Sequence, residues 1–106
     1  SASTVLRDKL EANTLRFRSQ MQELGFTVLG GGHPISPVLL GDAMLAQNFS
    51  RALLEEGILA VGFFYPVVPH GKARIRTQIS AVHEPHHIDA AVQAFAKVGR
   101  QLGVIA

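Results

Sequence analysis

The chain has 106 residues, 47% of them hydrophobic and 17% charged, with a formal net charge of +2 and no cysteine. This is enough for one domain with an apolar core and too little for two. It speaks against a disordered chain and excludes disulfide staples and thiolate metal sites. The basic residues are scattered from Arg7 to Arg100 rather than gathered on one segment, the opposite of a nucleic-acid footprint. No run of about 18 apolar residues offers a membrane span, and no basic-then-apolar leader with a cleavage site is visible. The start, SASTVLRDKL, lacks Met and enters at once into a helical pattern, which predicts a segment of a longer polypeptide.

Residues 4–24 predict a helix, because Leu6, Leu10, Phe17, Met21 and Leu24 recur at three-, four- and seven-residue steps along one stripe. Ser3 or Thr4 is placed to cap its start, and Gly25 to end it in the left-handed conformation. Residues 26–29 predict a short apolar strand. GGGHP at 30–34 is a break that leads through proline into a strand, so it is a turn and not a phosphate loop, which would open a helix. ISPVLLG at 35–41 is the second strand, in which Pro37 points to an edge position or a bulge.

Asp42 caps a second helix over 43–56, with Leu45, Phe49, Ala52 and Leu53 as its buried stripe and Gly57 as its stop. ILAVGFF at 58–64 reads as a strand, YPVVPHGK at 65–72 as a proline-rich loop, and residues 73–80 as a fourth strand. Glu84 and Pro85 begin the last helix, the proline at the first turn, where its missing N–H costs nothing. Ile88, Ala91, Val92, Phe95 and Leu102 form its stripe and Gly103 ends it. Helices with a single stripe need a sheet face to cover. The order α-β-β-α-β-β-α therefore predicts an α+β two-layer sandwich, a mainly antiparallel sheet with helices on one face.

The fourth strand carries the chemical signal. Side chains alternate along a strand, so Ala73, Ile75, Thr77 and Ile79 share the helix-covered face. Arg74, Arg76, Gln78 and Ser80 share the other, which is expected to be polar. An arginine on a rigid strand is suited to bidentate recognition of a carboxylate; the alternative is a solvated sheet face. The HEPHH stretch brings His83, His86 and His87 close in sequence, but they straddle a helix start with no zinc-helix spacing. His86 and His87 are expected to be exposed first-turn residues, and His83 to have a positioning role. Carboxylates are dispersed, so no acid–base pair is visible, and no serine has a triad context. Lys72 and Lys97 lack a Schiff-base setting. No metal site and no catalytic residue is assigned to this chain.

GFFYPVVPHGKARIRTQISAVHEPHHIDAAVQAFAKVGRQLGVIA, residues 62–106, closely resembles the C-terminal end of the pyridoxal-phosphate (PLP) dependent α-oxoamine synthases. Residues 6–58 resemble the helix and strands that precede that end. The ARIR strand with His83 is shared across the superfamily, 8-amino-7-oxononanoate and 5-aminolevulinate synthases included. GFFYPVVP, RTQIS and GRQLGVIA favour the glycine C-acetyltransferase branch.

The resemblance implies that residues 1–106 are the single C-terminal small domain of a homodimeric fold-type I enzyme. Its large domain, absent here, would hold PLP together with the cofactor lysine, the ring-stacking histidine and the aspartate at the ring nitrogen. The implied reaction condenses glycine with acetyl-CoA to 2-amino-3-ketobutyrate and CoA, in threonine and glycine metabolism. Arg76 would bind the substrate carboxylate, Arg74 would be structural, and Tyr65, Pro66 and Val67 would line the substrate entrance. The compartment implied is the cytoplasm, or the mitochondrial matrix in a eukaryote. Glu84, in place of a better-capping threonine, and His86 and His87, in place of acidic or amide residues, are expected to weaken the last helix slightly. The alternative is a stand-alone, non-catalytic binding or dimerisation module.

Overall fold

The computed structural model describes residues 2–30, 34–81 and 83–106. Within them the elements follow the expected order: α1 (Ala2–Leu24), β1 (Thr27–Val28), β2 (Ile35–Gly41), α2 (Ala43–Glu55), β3 (Val61–Phe63), β4 (Ala73–Gln78) and α3 (Pro85–Gln101). The strands form one sheet in the order β1-β2-β4-β3 with every pairing antiparallel. β2 and β3 therefore point the same way with β4 between them, and α2 is the crossover that parallel strands require. The helices pack on one face, as the α+β two-layer sandwich requires. Of the GGGHP break, residues 31–33 lie outside the described residues.

The core is built on four phenylalanines, one from each helix and one from the turn after α1. Phe26 meets Phe49 and Phe95 edge-on at 6.2 and 6.1 Å between ring centroids, and Phe17 meets Phe95 edge-on at 5.7 Å. These are the offsets that aromatic quadrupoles favour. Val38, Ile75, Leu53 and Val92 close around them without exposure above 1%. On α3, Gly99 lets the Phe26 ring in: a Cβ there would stand 2.6 Å from Phe26 Cζ.

Two of the helix stripes are shorter than their periodicity. Leu6 and Leu102 are exposed, and Val98 and Gly99 join the core instead. α1 also begins earlier than expected, so Ser3 and Thr4 lie inside its first turn rather than capping it. At its other end Gly25 takes φ +105°, with Phe26 N–H donating to Met21 O at 3.1 Å, a glycine stop of the Schellman type. Asp42 caps α2 through Leu45 N–H, 2.8 Å. Residues 58–60 do not join the sheet and are tied at both ends to α2. Ile58 N–H donates to Leu53 O at 2.9 Å, and Ala60 O accepts Ser50 Oγ at 2.7 Å.

Pro37 is not on an edge strand, since β2 lies between β1 and β4, and the bulge falls between Leu39 and Gly41. Its missing N–H is accommodated differently. The β1–β2 register places Leu29 opposite Pro37, and Leu29 N–H donates to Pro37 O at 2.7 Å. In such a pair both residues normally exchange both bonds. The return bond, which proline cannot make, is replaced by Arg18 Nη1, which donates to Leu29 O at 2.8 Å.

α1 is fastened to α3 and to the turn before it. Buried Asn13 donates Nδ2 to Ser80 O at 3.1 Å and to His83 O at 2.8 Å. Arg16 grips Asp89 bidentately, both bonds 2.8 Å, and Gln20 adds a third donor at 2.7 Å. The bonds from Arg16, then Gln20, hold the Asp89 carboxyl at about 2, below its ordinary 3.8. At the start of α3, Glu84 is the N-cap residue and its N–H donates to His87 Nδ1 at 2.9 Å. The imidazole at the third helical position thus plays the part usually taken by Glu or Gln in a capping box. The expectation that His87 is ill suited to that turn is corrected accordingly.

Candidate functional site

β4 is one of the two inner strands of the sheet, paired on both sides. Its alternation is realised as read: Ala73, Ile75, Thr77 and Ile79 are buried, whereas Arg76 and Gln78 are exposed and Arg74 is half-buried. The outward face as a whole is not polar, contrary to the expectation drawn from β4 alone. The register places Pro37 and Val61 directly beside Arg76, and Leu39 and Phe63 beside Arg74. Ile35 joins them opposite Gln78. The arginines therefore stand in an apolar frame.

The two arginines are held differently. Arg74 Nε donates to Lys72 O at 3.1 Å, which ties it to the end of the preceding loop. Arg76 has neither an ion pair nor a hydrogen bond among the described residues. Its Cζ lies over the Phe63 ring, 5.0 Å from the centroid, within the range of a cation–π contact. A guanidinium without an acidic partner, on a strand paired along both edges, is chemically equipped to take a carboxylate in a two-bond fork.

Tyr65, Pro66 and Val67 are exposed in the turn that follows β3. The last β3–β4 pair before this connection is Phe63 with Arg74, so the loop leaves the sheet at the Arg74 end, beyond Arg76. Tyr65 stacks on His70 at 3.7 Å between centroids and 13° between planes. It is Phe63, unremarked in the sequence reading, that meets Arg76. Alternation puts Val61 and Phe63 on one face of β3, but it is the register against β4 that makes it the Arg76 face.

His83 is half-buried and closes the turn between β4 and α3. Its Nδ1 accepts Ser80 N–H at 3.2 Å while its carbonyl accepts Asn13. His86 and His87 are exposed. Among the described residues no group of three or more His, Asp or Glu stands close enough to hold a metal ion, and no helix is long and apolar enough to cross a membrane. Lys9 and Lys97 are ion-paired with Glu84 and Glu56, and Lys72 is exposed. None of the grooves described on this chain includes a lysine or Arg76 in its walls. A ligand site is ordinarily concave, and Arg76 lies on an open sheet face.

Comparison with known proteins bears out the resemblance. The chain is 59% identical, over 99% of its length, to 2-amino-3-ketobutyrate coenzyme A ligase of Escherichia coli K12. It is 55% identical over 97% to the mitochondrial enzyme of that name from Bos taurus. It spans about a quarter of these relatives, 26% and 25% of their lengths. Among solved structures, serine palmitoyltransferase from S. paucimobilis with bound PLP and myriocin superposes with a TM-score of 0.89 at 28% identity, over 97% of this chain and 26% of that one. Residues 2–95 match the family model described as aminotransferase class I and II. The chain belongs to the class I and II aminotransferase family.

Proposed function

We propose that this chain is the C-terminal small domain of a larger, homodimeric PLP-dependent acyltransferase that condenses glycine with acetyl-CoA to 2-amino-3-ketobutyrate and CoA. Arg76 is its contribution to the substrate site. The observation that carries the reading is the state of Arg76: a guanidinium on an inner strand, framed by apolar side chains, without an acidic partner among the described residues. The 59% identity to an enzyme of that name supports the choice of substrates. A stand-alone module is less well supported, because it would leave Ile35, Pro37, Leu39, Val61 and Phe63 on an uncovered face.

A PLP site needs a lysine for the Schiff base and a partner for the ring nitrogen. The lysines described above are paired or exposed and no groove here contains one. These residues do not make a cofactor site, and the cofactor is assigned to the rest of the enzyme, so the chain by itself is inactive. PLP supplies the electron sink that acidifies the glycine α-carbon. The part of this chain is positional. Arg76 takes the substrate carboxylate in two charge-assisted hydrogen bonds and fixes the direction in which the α-carbon bonds point. Tyr65, Pro66 and Val67 line the entrance from their exposed turn.

The test is Arg76→Ala in the full-length enzyme. Losing a charge-assisted bidentate contact costs about 2–4 kcal/mol of transition-state binding. The expected result is a fall in kcat/KM for glycine of roughly 30- to 900-fold, with the KM for acetyl-CoA near its original value. Unchanged glycine kinetics would overturn the assignment.

A further inference from the structure

Arg74 and Arg76 are neighbours on one face of one strand, and the structure immobilises them by opposite means. Arg74 is held by giving a donor away, to Lys72 O. Arg76 is held by the face of the Phe63 ring, 5.0 Å from its Cζ. An aromatic face attracts a cation through its quadrupole and uses none of its N–H groups. Arginine carries five of these in a fixed fork. A salt bridge would fix the same guanidinium only by occupying the donors that a carboxylate ligand needs.

The geometry points to Phe63 as the positioning residue for Arg76: it presets the guanidinium for a substrate carboxylate while leaving every donor free. The inference rests on the reading of Arg76 as the carboxylate ligand. Phe63 lies diagonally across the β3–β4 ladder from Arg76, since Val61 is directly opposite Arg76 and Phe63 is opposite Arg74. That diagonal is within reach of an aromatic ring and a long side chain. Phe63 is half-buried, and its own backbone is tied into the ladder, which anchors the base of the ring. The ring also displaces water from one side of the guanidinium, which strengthens the pull on an incoming carboxylate. With Cζ resting over the ring, Arg76 has less side-chain freedom to lose on binding.

The experiment uses the full-length enzyme with Phe63→Leu, Phe63→Met, Phe63→Tyr, Arg76→Ala and the double variant Phe63→Leu/Arg76→Ala. Steady-state kinetics are measured for both substrates, and thermal midpoints for every variant. Leu and Met keep an apolar side chain without a ring face, and either serves if the other does not fold. The expected result is a KM for glycine raised roughly two- to thirty-fold in the Leu and Met variants, the span of a cation–π contact. The KM for acetyl-CoA and the thermal midpoint should change little, and the Tyr variant should stay within about two-fold of the parent, because tyrosine keeps the ring face. On the Arg76→Ala background, Phe63→Leu should cause no further loss, since a residue acting only through Arg76 has nothing left to position.

An unchanged KM for glycine in Phe63→Leu, beside a raised one in Arg76→Ala, would overturn the role of Phe63 and leave that of Arg76 standing. Unchanged kinetics in both would overturn the carboxylate reading, and the role of Phe63 with it. Losses that add in the double variant, or that fall equally on both substrates with a lowered thermal midpoint, would make Phe63 a structural residue and overturn the inference.

Discussion

The two faces of this sheet carry similar side chains and end in opposite situations. On the helix side, Val28, Val38, Ile75 and Ile79 are buried under α1, α2 and α3, and four phenylalanines meet edge-on. On the other side, Ile35, Pro37, Leu39, Val61 and Phe63 form an apolar surface that no element of the described residues covers, with Arg74 and Arg76 set into it. The inner face is where the chain spends its residues on being folded. The outer face is where the same strands present their charge. One inner strand, β4, serves both because its alternation sends hydrocarbon one way and guanidinium the other.

This contrast predicts that substitutions on the inner face alter stability and those on the outer face alter binding. The largest effect belongs to Phe95→Ala. It removes a fully buried ring at the centre of the aromatic cluster and should cost about 3–5 kcal/mol in urea unfolding. Arg76→Ala, on the exposed face, should shift the same curve by no more than about 0.5 kcal/mol. Similar losses for the two would break the comparison.

Next in size is Asn13→Ala, which removes the Nδ2 donor from His83 O and from Ser80 O, the latter keeping His83 N–H, and should cost about 1–3 kcal/mol. If it is silent, the tether between α1 and the turn before α3 is not structural. Gly99→Ala tests the tightest point of the inner face. The added methyl meets the Phe26 ring, and the overpacking, partly offset by better helix propensity, should leave a loss of about 1–2 kcal/mol. A more stable variant would mean that Phe26 has room to yield.

The smallest effect lies at the solvent-exposed seam of α1 and α3. Asp89 is held at about 2 from its ordinary 3.8, first by the hydrogen bonds from Arg16 and then by that from Gln20. Its contribution to stability is therefore complete above pH 3.8 and is lost as the pH falls through about 2. Asp89→Asn should flatten that acid limb while leaving the slope above pH 4.5 or so untouched. An unaltered acid limb would show that the seam carries none of the pH dependence.

Much of the architecture was legible in the sequence because it depends on local periodicity and local caps. The element order, the alternation of β4 and the roles of Asp42, Pro85 and Gly25 all follow from spacing and from the chemistry of a few residues. Where the expectations failed, the cause was non-local. Leu6 and Leu102 keep the helical period yet lie beyond the surface that the partner elements cover. Pro37 was read as an edge or bulge residue, since a missing N–H is visible in sequence. The guanidinium that replaces it comes from Arg18, in another element. His87 looks unsuited to a helix start until its Nδ1 is seen to accept the Glu84 N–H.

The candidate site divides along the same line. By itself the sequence determined that two arginines share a face of a strand, because a period of two admits no other outcome; the proposed carboxylate role of Arg76 rests on the resemblance. Only the tertiary structure decided which arginine is free. That choice depends on the register of β3 against β4, which lays the Phe63 ring under Arg76 and leaves Arg74 beside the Lys72 carbonyl. Register is set by the closure of the hairpin and by burial of the opposite face, and neither is visible one residue at a time.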